Sequence, residues 1–264
     1  VRLRESFLDS QFRNENQRLG EWEVRLDTLD KLEAIMNEPS ESSLAAIIDE
    51  FWAAWHTLSE GPGESTNRTV VIEKMKTLAE AFNVKAGQLD DLEEDLQESL
   101  EIKYEQANKL LEHIADLNAE IVKIEGTGDN ANDLRDRRDL LVDELSKLID
   151  VRVKEEDDGS YTVTLANDTS HILVDDDGVV GDGLENVDPP FVAGGEIHGL
   201  HRSLAKVIEY RAELDTMVRA FVEGPIEVTL PVGTVLNDGD DPLDEPLTIT
   251  VNGINGLHGL GWDA

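Results

Sequence analysis

The sequence has no cysteine among its 264 residues, so neither a disulfide framework nor a thiolate metal site is open to it. Basic residues are scarce: 23 Lys and Arg stand against 58 Asp and Glu, a formal net charge of -35. A surface that negative repels phosphate, which argues against nucleic acid and anionic membranes as partners. No apolar run approaches the ~20 residues of a membrane-crossing helix, and no charged-then-apolar leader opens the chain. Hydrophobic residues still make up 39%, enough to fold around a core, so this is not a disordered acidic tail. The acidity fits an extracellular or a high-salt setting. Beginning in mid-pattern at Val1, the chain reads as an internal piece of something longer.

What is present is chiefly helical. Val24, Leu26, Leu29, Leu32 and Ile35 are spaced as on a helix that runs into a stop at Asn37-Glu38-Pro39. Ser40 is the expected cap of the next helix, with Ser43 and Leu44 inside its first turn. Leu44, Ile47, Ile48, Phe51, Trp55 and Leu58 then form one stripe that ends at Gly61-Pro62-Gly63. Phe51 and Trp55 are expected in the core, locking this short helix to a longer one. Trp52 falls on the stripe's flank and is the candidate subunit contact.

From about Glu64 to Glu125 no proline interrupts and Gly87 is the only glycine. Leu89, Leu92, Leu96, Ser99, Lys103, Ala107, Leu110, Ile114, Leu117, Ile121 and Ile124 alternate by threes and fours, a heptad-like seam. A helix of about 60 residues would be about 90 Å long at 1.5 Å per residue. After the turn at Gly126–Asn130 an amphipathic helix returns to Ile149, so an antiparallel helical rod is expected. Beyond Asp150 the period changes to two, giving strand, Asp-Gly turn, strand, turn, strand. A further helix has Leu204, Val207, Ile208, Leu214, Val218 and Phe221 as its apolar face, and strand material follows Gly224. The expected fold is mainly α with β. Its parts are a helical rod over 1–149, a small β-hairpin region over 150–190, a returning helix over 191–223, and a β insert with the start of a following segment over 224–264.

Chemistry is hard to find. His198 and His201, three apart, could face a metal, but no His-Glu-x-x-His arrangement surrounds them, and solvated histidines near a helix start are the plainer reading. The acidic loops at 174–183 and 236–245 fail the calcium-loop register, since Leu173 and Leu184 fall where carboxylates are needed. Weak cation binding is all they suggest. No phosphate loop, nucleophile elbow or Cys–His pair occurs. No catalytic residue, cofactor or metal is expected.

Several motifs together resemble the flagellar hook-associated protein 1 family. They are Gln11 to Asn16, Leu19 to Trp22, Asn37 to Ser40, and Phe51 to Trp55. Further along come Asp136, Arg138, Asp139, Leu145 and Ser146, then Gly194 to Leu200, and finally Asn255, His258, Gly261 and Trp262. They occur in order along nearly the whole chain. The departures are His201, where the family usually has Leu, and the insert at 224–253. The resemblance implies a non-catalytic axial protein, an adaptor ring between hook and filament, exported unfolded and lying outside the cell. Implied partners are the hook protein, the second hook–filament junction protein, further copies in the ring, and an export chaperone. It also implies terminal helices that this chain lacks, so the chain itself is expected to be monomeric in dilute solution. The competing reading is a secreted acidic protein that binds a ligand or cation on the same scaffold.

Overall fold

A computed structural model describes residues 6–36, 43–61, 63–181, 183–184, 192–230, 232–235 and 241–253. Helices α1 (Ser6–Met36), α2 (Leu44–Glu60), α3 (Ser65–Glu125) and α4 (Asn132–Leu148) are followed by strands β1 (Val151–Glu155), β2 (Tyr161–Leu165) and β3 (Ile172–Val174). Helix α5 (Gly195–Glu223) and a pair of strands, β4 (Pro225–Leu230) and β5 (Leu247–Asn252), complete the order. The fold is mainly α with small antiparallel sheets, built around a long antiparallel helical rod.

Helix α3, 61 residues and about 90 Å long, is the axis of that rod. α2 folds back along its first half, and α4 along its second. α1 and α5 run beside it as a parallel pair, antiparallel to α3: Arg211 on α5 reaches Asp90 (2.7 Å), while Glu196 at the start of α5 reaches Lys103 (2.7 Å). α1 and α5 approach closely because glycine stands at the crossing. A Cβ at Gly199 would lie 2.8 Å from the Glu21 carbonyl oxygen.

Two hydrophobic clusters divide the rod. One holds Phe51, Leu58, Leu78, Leu89, Leu92 and Leu96 together with Leu32, Val207 and Leu214. The other joins the second half of α3 and α4 to the β1–β2–β3 sheet through Leu111, Ile114, Val142, Leu145, Val163 and Leu173. Between them α3 carries the half-buried Leu100, Lys103 and Tyr104.

The sheet is antiparallel in the order β1–β2–β3, with Val153 opposite Val163 and an irregularity between Val163 and Thr164. Gly159 turns the first hairpin at φ +87, a left-handed conformation that suits glycine. β4 and β5 form a separate two-stranded ribbon pairing Ile226 with Val251 and Val228 with Ile249.

Several expectations are corrected. The cap of α2 is Ser43, whose extended backbone (ψ 156) lets its hydroxyl accept from the Ala46 N–H at 3.1 Å. The helix proper starts at Leu44, and Ser40 and the Asn37-Glu38-Pro39 stop lie outside the described residues. On α1, Val24, Leu32 and Ile35 pack inward, but Leu26 and Leu29 are 60% and 46% exposed. Those five residues therefore belong to two opposite faces. On α3 the fully buried residue is Leu111, whereas Leu110 is half-buried and Ile124 is exposed at the rim. The reason lies two turns further on: Asn118 Nδ2 donates to the Tyr161 carbonyl at 2.8 Å, so the seam rotates toward the sheet. Ile208 on α5 also turns outward.

Candidate functional site

The residues that carried the strongest motifs turn out to tie elements together. Arg138 on α4 is fully buried, with its guanidinium 3.5 Å over the Tyr161 ring. Its Nη1 donates to Asn118 Oδ1 at 2.7 Å and to the Gly159 carbonyl at 2.9 Å. One side chain thus links α4, α3 and the β1–β2 turn. Burial lowers its affinity for a proton, opposed by the neighbouring Tyr161. The adjacent Asp139 accepts from the Tyr161 hydroxyl at 2.7 Å. At the rim Arg135 binds Glu125 through Nη2 at 2.6 Å, a bond that holds the Glu125 carboxyl below its usual range, and it also reaches Glu155.

The other end of the same motif holds α1. Asn16 Nδ2 donates to Ser146 Oγ at 3.1 Å and to the Asp143 carbonyl at 2.8 Å, while Arg13 Nε donates to Asp143 Oδ1 at 2.7 Å. The Gln11–Asn16 motif and the Asp136–Ser146 motif are therefore two sides of one contact. Sequence reasoning missed it, although a signal existed. Arg138 stands four and seven residues before Val142 and Leu145, so it continues an apolar stripe, and that spacing on an otherwise inward face marks a buried polar anchor.

At the crossing of α1, α3, α4 and α5 lies a belt of charge. Glu196 is 2.7 Å from Lys103 and 3.4 Å from Lys147, and Lys147 is 2.8 Å from Glu23. His198 and His201 belong to this belt and are half-buried, which corrects the reading of solvated histidines. His198 Nδ1–H donates to the Val192 carbonyl at 2.7 Å, and His201 Nε2 is 3.0 Å from the Tyr104 hydroxyl. Burial pushes the His201 pKa below its ordinary value and raises that of Tyr104. Among the described residues no group of three or more His, Asp and Glu is placed to hold a metal ion. In the first acidic loop, Asp175 Oδ1 accepts from the Asp177 N–H at 3.0 Å, closing its own turn. The first half of the second loop, 236–240, lies outside the described residues, as do Asn255, His258, Gly261 and Trp262.

The aromatic group sits at the opposite end of the rod. Phe51 is fully buried and touches three rings: Trp55 (6.2 Å, 78°), Trp52 (5.5 Å, 63°) and Phe221 (5.4 Å, 53°). Phe221, from the end of α5, also lies 5.5 Å from Trp52. The group therefore fastens α2 to α5 as well as to the long helix. Trp55 is only half-buried, which corrects its reading as a core residue, because it packs at the margin while Phe51 fills the centre. Trp52 remains 47% exposed.

No described helix is long and apolar enough to cross a membrane. A groove of about 550 Å³ between α1, α3 and α4 is lined by Phe12, Leu110, His113, Leu140, Asp143 and Lys147. Its floor is apolar, and its charged groups do not converge on one point.

Comparison with known proteins agrees with this architecture. The family model described as the flagellar hook-associated protein FlgK helical domain matches residues 29–181. Flagellar hook-associated protein 1 of Bacillus subtilis (strain 168) is 32% identical over 173 residues, 66% of this chain and 34% of that protein. The protein of the same name from Salmonella typhimurium is 29% identical over 165 residues, 62% of this chain and 30% of that one. The solved structure of the flagellar hook junction protein FlgK from Burkholderia pseudomallei superposes with a TM-score of 0.70 at 18% identity. That likeness in fold covers 83% of this chain and 48% of that one. The chain spans about a third of the length of the curated relatives it matches. With more than half of its residues matched by the family model, the chain belongs to the flagellar hook-associated protein FlgK family and carries that family's helical domain.

Proposed function

We propose that this protein is a structural adaptor that joins the hook to the filament of a bacterial flagellum, and that it performs no catalysis. The observation that carries this reading is α3, a continuous 61-residue strut gripped along both halves by separate hydrophobic clusters. Such a member transmits load along its length, and among the described residues no pocket brings acid, base and nucleophile together. The names of the relatives, hook-associated protein 1 and hook junction protein, support the same role.

In this reading the protein lies outside the cell, as part of the axial structure. Its partners are the hook protein, the second hook–filament junction protein, neighbouring copies in a ring, and a chaperone that escorts it for export. A net charge of -35 keeps nucleic acid and anionic membrane away. Trp52, half exposed beside Phe221, is the subunit contact we assign, since exposed tryptophan at a packed margin suits a protein interface. The isolated chain is monomeric in dilute solution.

Immunogold electron microscopy on intact cells, with antibody raised against this chain, tests the role. Gold confined to the joint between hook and filament is the expected result. Gold over the cell body or the filament shaft, with none at the joint, overturns it.

A further inference from the structure

His198 stands beside the point where α5 crosses α1. The two backbones meet closely there because Gly199, the next residue, has no side chain to hold them apart. That approach brings the carboxylate of Glu21 to the imidazole of His198. One ring nitrogen is already engaged, since Nδ1–H donates to the Val192 carbonyl at 2.7 Å. In the neutral ring this bond leaves Nε2 with a lone pair, and Nε2 lies 4.0 Å from Glu21 Oε1. A lone pair aimed at a carboxylate gains nothing. A proton on Nε2 turns the same geometry into an ion pair. The two side chains are 26% and 18% exposed, so water screens that pair only in part.

Every element packed at this crossing brings charge. From α1 come Glu21 and Glu23, and Glu23 is 2.8 Å from Lys147 of α4. From α3 come Lys103, 2.7 Å from Glu196, and Tyr104, whose hydroxyl is 3.0 Å from His201 Nε2. The corner between α4 and β1 supplies Asp150. Burial raises its carboxyl, opposed by the Ala193 N–H bond at 2.9 Å and also by His198. Lys103 and Lys147 are thus engaged by Glu196 and Glu23, whereas Glu21 and Asp150 are the carboxylates that interact with His198. Glu21 Oε1 also accepts from Arg25 Nη1 at 3.1 Å on its own helix, and a carboxylate has lone pairs enough for both partners. His201, one turn along α5, is held neutral by burial and, secondarily, by charge on His198.

We infer that His198 and Glu21 form a proton-operated clasp between α5 and α1, closed when the imidazole is charged and open when it is neutral. The same ring holds the Val192 carbonyl, so the clasp also carries the segment that leads into α5. Its sign follows from the charges. The protonated ring gains two carboxylate neighbours that the unfolded chain does not place beside it. The clasp therefore stabilises the fold below histidine's ordinary value of about 6.5, and that contribution is lost as pH rises through the histidine range. His201 acts in the opposite sense. One turn of α5 thus answers acid twice, loosening its hold on Tyr104 of α3 and tightening its hold on α1. The inference goes beyond the adaptor reading and does not depend on it.

A double-mutant cycle tests the clasp, with the native protein, His198→Gln, Glu21→Gln and the double variant melted at pH 5.5 and 8.5. The cycle cancels what each substitution does alone, the lost Arg25 contact included. The expected coupling is at least ~2 °C in melting temperature at pH 5.5 and none at pH 8.5. A histidine that served only to hold Val192 would show the same coupling at both pH values, because Nδ1 keeps its proton throughout. That result overturns the inference, as does the absence of coupling at pH 5.5. Repeating the cycle in a His201→Leu background separates the two histidines. Coupling that persists there is expected, and coupling that vanishes would assign the effect to His201 and overturn the clasp.

Discussion

The guanidinium of Arg138 lies 3.5 Å above the ring of Tyr161, and the hydroxyl of that ring donates to Asp139, the next residue along α4, at 2.7 Å. One tyrosine thus engages both members of an Arg-Asp pair, and through them the sheet is fixed to the α3–α4 hairpin. Tyr161→Phe keeps the stack and removes the hydroxyl, leaving a buried carboxylate short of a donor. The expected cost is about 1–3 kcal/mol. Arg138→Ala removes the stack and both of its hydrogen bonds and leaves a void, at a cost of about 3–5 kcal/mol. Urea unfolding of the two variants checks both values. A loss below ~1 kcal/mol for Arg138→Ala would show that the residue is not an anchor.

The aromatic group yields an order. Phe51→Ala opens a cavity among the three rings it touches and costs about 3–5 kcal/mol. Trp55→Ala, at the margin, costs about 1–3 kcal/mol, because only part of its surface is buried. Trp52→Ala costs under about 1 kcal/mol to the isolated chain. Chemical unfolding of the three variants reads the order directly, and a larger loss at Trp55 than at Phe51 would reverse it.

At the α1–α5 crossing, Gly199→Ala would place its Cβ 2.8 Å from the Glu21 carbonyl oxygen, and Gly20→Ala would place one 2.4 Å from the Lys147 carbonyl oxygen. In both cases backbone must move. Each substitution is expected to lower stability by about 1–3 kcal/mol, although alanine is the better helix former. A stabilised variant in thermal unfolding would mean that the helices stand further apart.

His201 makes stability depend on pH. Burial holds its folded pKa below the ordinary histidine value of 6.5, so the unfolded chain takes up a proton first as pH falls. Its contribution is fully present above the unfolded value and is lost progressively below pH 6.5, toward the folded value. Between pH 7.5 and 5.5 the melting temperature of the native protein is expected to fall relative to that of His201→Gln. The comparison with the variant removes the separate effect of carboxylates on a chain of net charge -35. Parallel curves for the two proteins would exclude His201 as the cause.

Much of the fold was legible because it rests on local rules. The long stretch without proline becomes α3, the Asp-Gly turn becomes the first hairpin, and the change of period at Asp150 becomes the start of the sheet. What was not legible depends on partners distant in sequence. Phe51, not Trp55, fills the aromatic centre because Phe221 arrives from α5. Leu111, not Leu110, is fully buried because a sheet covers that side. Leu26 and Leu29 read as one stripe with Val24 and Leu32 because a helix with two apolar faces satisfies the same spacing rule twice. Arg138 entered only as part of a motif, since residue type says nothing of the Tyr161 ring that lies under its guanidinium.

The central claim is that α3 is a single rigid strut running through two separately packed cores. Spin labels on Glu80→Cys and Glu120→Cys, both exposed, report it through pulsed dipolar distance measurement. Forty residues of unbroken helix separate them by about 60 Å. The account predicts one narrow distribution near that value. A broad or bimodal distribution centred well below it would mean that the helix bends where Leu100, Lys103 and Tyr104 join the two cores, and the strut would be two pieces.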